Sequence, residues 1–374
     1  MGRVVIVGCG VVGAAIAYEL STVEGLEITV LDRQPPAQGA TGAALGILMG
    51  AISHKIKGRG WRLRELSLRQ YAAWLPELET LTGQAVPCNR AGIVRLTFDD
   101  DDMDQWQTLQ SVRQKQGWPL EIWDLKTLVE KCPLVGHNLP TAAGPYTITG
   151  AIYSPQDRQI DPAALTHALV VASQKRGVQF HFDAGVEEFA ASPSSGTLAQ
   201  PPYPVHTTGQ SFEADWVILS AGVGTPPLTQ TSPTPLDIRP VLGQALRIRL
   251  PKAITPPFQP VITGHDIHVV PLGAKDYWVG ATVEFPDEAG MVKADAELLN
   301  VVWQGAIALY PRLAQGTVVE QWSGERPRPF GRPAPIVERL DGYEQVILAT
   351  GHYRNGVLLA PATAHWVREL MGFP

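Results

Sequence analysis

Gly8, Gly10 and Gly13 stand in the spacing G-x-G-x-x-G, and an acid, Asp32, follows 19 residues after the last of them. Glycine at 8 and 10 lets the backbone come close enough to a pyrophosphate for its N–H groups to donate, and glycine at 13 lets a helix pack tightly against a strand. An acid at that distance accepts from a ribose hydroxyl pair. It would also repel a 2′-phosphate. The chemistry these residues serve is dinucleotide binding, and NAD and FAD satisfy it equally.

The motif carries that meaning only between a strand and a helix, and both are legible. RVVIV at 3–7 is a short β-branched run, the glycines follow at once, and residues 11–20 place Val12, Ile16 and Leu20 at helical spacing. LEITVL at 26–31 is a second strand ending at Asp32, so the first 32 residues form a βαβ unit. Two later runs, DWVILS at 215–220 and QVILA at 345–349, also pass into glycine, as parallel strands do whose C-terminal ends face a ligand. Residues 236–285 differ. They hold short strand-like pieces broken by Pro and Gly, which predicts a mostly antiparallel sheet. Residues 192–210 read as a hairpin or surface loop, and 225–235 as a crossing linker.

The expected fold is therefore α/β, a Rossmann-like nucleotide domain with a parallel sheet, split in sequence, plus a substrate domain with a mostly antiparallel sheet. The first is expected over 1–84, 147–235 and 325–374, and the second over 85–146 and 236–324.

Composition narrows the partners. A net charge of −6 gives no global field for nucleic acid or an anionic membrane. No apolar run reaches the roughly 18 residues of a membrane span. The three cysteines, Cys9, Cys88 and Cys132, form no C-x-x-C, so neither a metal site nor a disulfide framework is expected. They read as reduced thiols of a cytoplasmic protein; homo-oligomer formation is left open.

Several segments resemble the FAD-dependent D-amino acid oxidase family, and within it the glycine oxidase branch. They include VVIVGCGVVGAAIAYEL with Asp32, TGAALGIL at 41–48, RQIDPAAL at 158–165 and DWVILSAGVGT at 215–225. They continue with RPVLGQALRI at 239–248, VVPLGAKDYWVGATVE at 269–284, WSGERPRPFGRPAPIV at 322–337 and GHYRNGVLLAPATA at 351–364. The similarity spans nearly the whole chain in consistent order. It implies FAD, held non-covalently because no cysteine follows Cys132. It places Gly8, Gly10, Val11, Val12, Gly13, Asp32 and Arg33 against the cofactor, with Thr41, Gly42, Ala43, Ala44, Gly46 and Ile47 beside the flavin. Val186, Ala221, Gly222 and Gly324 follow, and then Gly351, His352, Tyr353, Arg354, Asn355, Gly356 and Val357, a segment between strand and helix whose N-terminus would favour a reduced flavin anion.

The resemblance also implies the reaction: hydride transfer from Cα of a small amine or amino acid to flavin N5, with oxygen taken to hydrogen peroxide and an imine hydrolysed to oxo acid and ammonia or amine. It carries thiamine biosynthesis as a pathway. A substrate carboxylate calls for a guanidinium, whose planar fork matches two oxygens and stays charged. Arg354 matches the family's carboxylate-binding arginine and Arg326 a second one. One departure stands out: where the glycine oxidase pattern has tyrosine before V-P, this chain has His268, which can hydrogen-bond a carboxylate or read another substrate. His54 and Lys55 read either as a cationic aid to oxygen reduction or, within SHKIKGRGWRLR, as a basic surface loop. Tyr353 and Trp322 read as pocket wall or core.

Three other readings share these residues. A dehydrogenase of D-amino acids or secondary amines would pass electrons to a non-oxygen acceptor. An NAD-dependent dehydrogenase would be colourless when purified. A non-catalytic nucleotide-binding subunit would have no need of both arginines.

Overall fold

The run VVIV at 4–7 is apolar without alternation because both its faces are covered. The structure, a computed structural model, describes residues 2–136, 147–189, 198–288 and 290–373, and the backbone alone of 139–141 and 144–146. In it Val4 and Ile6 enter one core, among helices, while Val5 and Val7 enter another, against a small sheet.

The strand Gly2–Val7 sits inside a six-stranded sheet. From one edge the order is Gln179–His181, Leu26–Leu31, Gly2–Val7, Trp216–Leu219, Val346–Thr350 and Ile336–Arg339. The first five strands are parallel, with Val4 opposite both Ile28 and Trp216, and only the last is antiparallel. On one face the helix Val11–Leu20 packs between Gly356–Leu370 and Pro162–Lys175. On the other lies a three-stranded sheet, Val186–Phe189, Tyr203–Thr207 and Ser211–Ala214. Its Phe189, Val205 and Ala214 meet Val5, Val7 and Leu219. The hairpin expected within 192–210 is thus present from Tyr203 onward, paired with Ser211–Ala214; positions 190–197 lie outside the described residues.

An eight-stranded sheet forms the second layer system, in the order Thr317–Pro329, Ile238–Arg249, Asp276–Gly280, Ile267–Pro271, Val261–Gly264, Ile93–Phe98, Ile148–Ser154 and Glu121–Asp124. It is antiparallel except where Val261–Gly264 runs parallel to Ile93–Phe98. The amphipathic helix Ala296–Leu309 buries Leu299, Val302, Ala306 and Leu309 on one face of this sheet. Ile148–Ser154 falls in the segment expected of the nucleotide domain, yet it pairs antiparallel with Ile93–Phe98, with Ile148 and Ala151 in the core of the eight-stranded sheet and Ile152 in the core among the helices. Among the described residues no helix is long and apolar enough to cross a membrane, and no cluster of His, Cys, Asp and Glu is able to hold a metal ion.

The segment SHKIKGRGWRLR is not a loop throughout: from Gly58 it is helical, opening the helix Gly58–Thr82 whose C-cap Gly83 takes the left-handed φ of 77°. The stretch before it is fixed from inside. Asp157, fully buried, accepts hydrogen bonds from the amides of Gly50, Ala51 and Ile52 and from Ser154 Oγ at 2.8–2.9 Å. Arg113, also fully buried, donates to the carbonyls of Ala51, Ser53 and Lys55 and lies 3.5 Å from the ring centre of Trp61.

Candidate active site

A cleft of about 620 Å³ runs from the C-terminal ends of the parallel strands to the inner strands of the eight-stranded sheet. This is where open α/β sheets hold ligands.

One end is built from backbone. Gly8 has φ +103°, and a Cβ there would lie 2.8 Å from the carbonyl oxygen of Ser220. A Cβ on Gly13 would lie 1.9 Å from the Gly8 carbonyl oxygen, so Gly13 packs the helix against the turn and does not line the cleft. The helix Val11–Leu20 begins at Gly10 with no side-chain cap and no acid in its first turn. Thr41 Oγ1 accepts from the Val11 amide at 3.0 Å. The Asp32 carboxylate is aimed by two amides, accepting from Cys9 N at 2.6 Å and Gln34 N at 2.9 Å.

The helix Gly356–Leu370 also starts at this cleft without a side-chain cap. Two helix N-termini, each with unsatisfied donors and positive potential, therefore face one space. With the glycine turn and Asp32, this arrangement fits an anionic dinucleotide.

In the middle, Ala43, Ala44, Gly46 and Ile47 line the cleft, while Gly42 turns away, where a Cβ would meet the Ala37 carbonyl oxygen at 2.2 Å. Trp322 is not wall. Its Nε1 donates to the Ala43 carbonyl at 3.0 Å and its ring meets Trp278 edge-on, so it braces the segment from behind. Gly324 comes so close to Ala43 that an added Cβ would sit 2.3 Å from Ala43 Cβ. Arg33, Ala221, Gly222, Gly351, His352, Tyr353, Asn355 and Val357 all line the cleft; Val186 does not, because its strand lies on the far face of the parallel sheet. His54 and Lys55 stay outside it: His54 meets Trp106 at a tilt, ring centres 4.3 Å apart, and Ser53 and Arg64 take the lining positions.

The other end is built from charged side chains on three sequence-distant segments. Arg326 lies flat across Gly243, where a Cβ would come within 2.2 Å of its Nη2, and donates from Nη1 to the Leu242 carbonyl at 2.9 Å. Arg354 pairs with Asp266, Nη2 to Oδ1 at 3.1 Å and Nη1 to Oδ2 at 3.4 Å. His268 stands opposite Thr263 across two strands, Nδ1 to Oγ1 at 2.7 Å. Burial, with Arg354 and Arg326 nearby and Asp266 opposing, pushes His268 down to about 4, so it is neutral at pH 7. Burial works to raise Asp266, but Arg354, then His268 and Arg326, hold its carboxyl below the usual range. Arg326 is lowered by burial and by Arg354. Sequence reasoning named Arg326, Arg354 and His268 but missed Asp266, Arg64 and the buried Asp157 and Arg113, for which no motif exists.

The family described as DAO, FAD dependent oxidoreductase, matches residues 3–370. The chain belongs to this family, and FAD is its cofactor. It is similar to the bifunctional protein ThiO/ThiG of Trichormus variabilis, 30% identical over 376 residues, which cover 98% of this chain and 52% of that protein. The chain thus spans about half the length of its bifunctional relatives. Glycine oxidase of Geobacillus kaustophilus is 26% identical over 368 residues, 98% of this chain and 92% of that one. Its crystal structure superposes with a TM-score of 0.84, covering 100% of this chain and 95% of that chain. An L-proline dehydrogenase from P. horikoshii, 19% identical with a TM-score of 0.82 over 99% of this chain and 93% of that one, shares the fold. The expected glycine oxidase-like α/β architecture is the one observed.

Proposed function

We propose that this chain is an FAD-dependent oxidase of a small amine bearing a carboxylate, of the glycine, sarcosine or D-amino acid class, releasing an imine and hydrogen peroxide. The observation that carries the reading is the convergence of Arg326 and Arg354 with a neutral His268 at one end of a cleft whose other end fits a dinucleotide. When bound, FAD supplies the acceptor for the hydride leaving substrate Cα. The chain's own part is positional. Arg326, together with Arg354, which is shared with the protein's own Asp266, fixes the carboxylate and with it the direction of the Cα–H bond. Their positive potential favours the neutral amine that hydride loss requires. His268, held near 4, is too weak a base to keep the amine's proton, so that proton leaves to water before the substrate is committed; the imidazole serves as a hydrogen-bonding wall.

In the same proposal the parallel sheet and its helices form the FAD-binding domain and the eight-stranded sheet the substrate domain, with Ile148–Ser154 counted in the latter. Residues 1–84 and most of 155–235 and 325–374 make the first; 85–154 and 236–324 make the second. Glycine oxidation in thiamine biosynthesis, in the cytoplasm, belongs to this reading, supported by the resemblance to glycine oxidases and ThiO/ThiG proteins and by three free cysteines. The test is peroxide release in air by the yellow protein across glycine, sarcosine and paired D- and L-amino acids. Peroxide with at least one carboxylate-bearing amine, and none with the corresponding decarboxylated amines, is the expected result. Substrate-dependent bleaching that reduces a dye but yields no peroxide would make the protein a dehydrogenase, and no bleaching with any of them would end the reading.

A further inference from the structure

The substrate end of the cleft contains a carboxylate of the protein's own. Val261–Gly264 and Ile267–Pro271 are joined by two residues, His265 and Asp266, both with positive φ, 47° and 63°. Such a connection ordinarily takes Asn-Gly or Asp-Gly, and non-glycine residues there cost strain. Here the turn delivers a carboxylate to Arg354, 88 residues away in sequence, in a two-point pair with both guanidinium Nη atoms. That is the contact a substrate carboxylate would make.

Counting charge at this end gives Arg326 and Arg354 positive, Asp266 negative and His268 neutral. Arg326 also feels Glu284, which lies buried behind the cleft lining and is held by Gln244 and Thr282. Arg64 and Arg95 line the cleft farther along, Arg64 against Asn355 and Arg95 paired with Asp101. Among the described residues Arg326 is thus the cation at this end that forms no ion pair; it donates to the Leu242 carbonyl.

We propose that Asp266 is a specificity residue: by pairing with Arg354 at the solvent-exposed mouth of the cleft, it tunes the site to amines with a single carboxylate and discriminates against dicarboxylates. A second carboxylate finds no free cation and must displace Asp266 into repulsive proximity, which is rejection by an unfavourable charge and not by size. This rests on the reading of the cleft as a site for carboxylate-bearing amines.

The test uses the flavin-loaded protein and two small anions, acetate and malonate, titrated by the change they cause in the flavin spectrum. In the parent protein malonate is expected to bind no more than about threefold tighter than acetate. In Asp266→Asn, which keeps a residue type tolerant of positive φ, malonate is expected to gain about tenfold relative to acetate, since Arg354 is released. That gain disappears in the double variant D266N/R354Q. An unchanged malonate-to-acetate ratio in D266N, or equal weakening of both anions, overturns the proposal and makes Asp266 a brace for Arg354. If acetate does not bind the parent protein at all, the carboxylate-site reading fails first and takes this inference with it.

Discussion

The two ends of the cleft solve recognition by opposite means. At the Gly8–Gly13 end the ligand-facing groups are main-chain amides and one acid, set by a strand, a turn and a helix contiguous in sequence. At the Arg326–Arg354 end the groups are long side chains from three separated segments, of which Arg354 and Asp266 pair with each other while Arg326 donates to a backbone carbonyl. Backbone recognition is rigid, because main-chain amides are fixed by the fold. Side-chain recognition is adjustable, and one substitution re-weights it. Substitutions at the first end should therefore cost folding and cofactor, while those at the second should leave the yellow colour and change which substrate is accepted.

The largest expected effect is at Gly13. A Cβ 1.9 Å from the Gly8 carbonyl oxygen and 2.7 Å from Ser220 Oγ collides with backbone that cannot swing aside. Gly13→Ala should lose more than about 3 kcal/mol of stability and come off a column colourless. Gly10→Ala, whose Cβ would meet only Thr41 Oγ1 at 3.1 Å, should fold and retain weaker cofactor binding. Denaturation midpoints and the flavin-to-protein absorbance ratio decide it; a yellow, stable Gly13→Ala would break the contrast.

The same asymmetry explains what the sequence revealed. The nucleotide end was legible because its determinants are local: glycines in a fixed spacing, apolar period and an acid at a fixed distance. The antiparallel character of 236–285 was legible from its punctuation. The Asp266–Arg354 pair was not, since nothing in DIHVV or GHYRNG says that a two-residue turn will bring one to the other. Gly42 and Val186 are expected against the cofactor from family position; in the structure a Cβ on Gly42 would meet the Ala37 carbonyl, and Val186 pairs with Thr207 in the small sheet. Ile148–Ser154 was placed in the nucleotide domain because strand partners cannot be read from a strand's own composition. The basic stretch before Trp61 was ambiguous for a further reason: the carboxylate and guanidinium that fix it, Asp157 and Arg113, come from elsewhere in the chain and carry no motif.

Next in size is the difference between the two arginines. Arg326→Ala removes the cation that lacks an internal counter-ion and should raise KM for a carboxylate-bearing substrate about 100-fold. Arg354→Ala should raise it about tenfold, since the charge removed was already shared with Asp266, and adding Asp266→Asn should bring KM back to within about threefold of the parent. Flavin content should be unchanged in all three. Steady-state kinetics on the best substrate of the peroxide panel gives the order, and a larger penalty for Arg354→Ala with no relief from Asp266→Asn would reverse the ranking.

The smallest effect sharpens the comparison through two histidines. His352, 3% exposed beside the second helix N-terminus, bonds Thr363 Oγ1 through Nε2 at 2.8 Å, and burial, helped by Arg59, pushes it down to about 3. In the unfolded chain it titrates near 6.5. Between those values the unfolded state binds more protons, so stability is full above about pH 6.5 and falls as the pH drops toward the folded value. From pH 6.5 to 5 the loss assignable to His352 is on the order of 2 kcal/mol, a fall in Tm of about 2 °C for a chain of this size. His352→Gln, which keeps a donor for Thr363, should flatten that part of the profile. His268→Gln should flatten it by a similar amount down to pH 5 and by less below that, because burial pushes His268 down only to about 4. Equal slopes for parent and His352→Gln would mean that the buried imidazole is not what makes the cofactor end sensitive to acid.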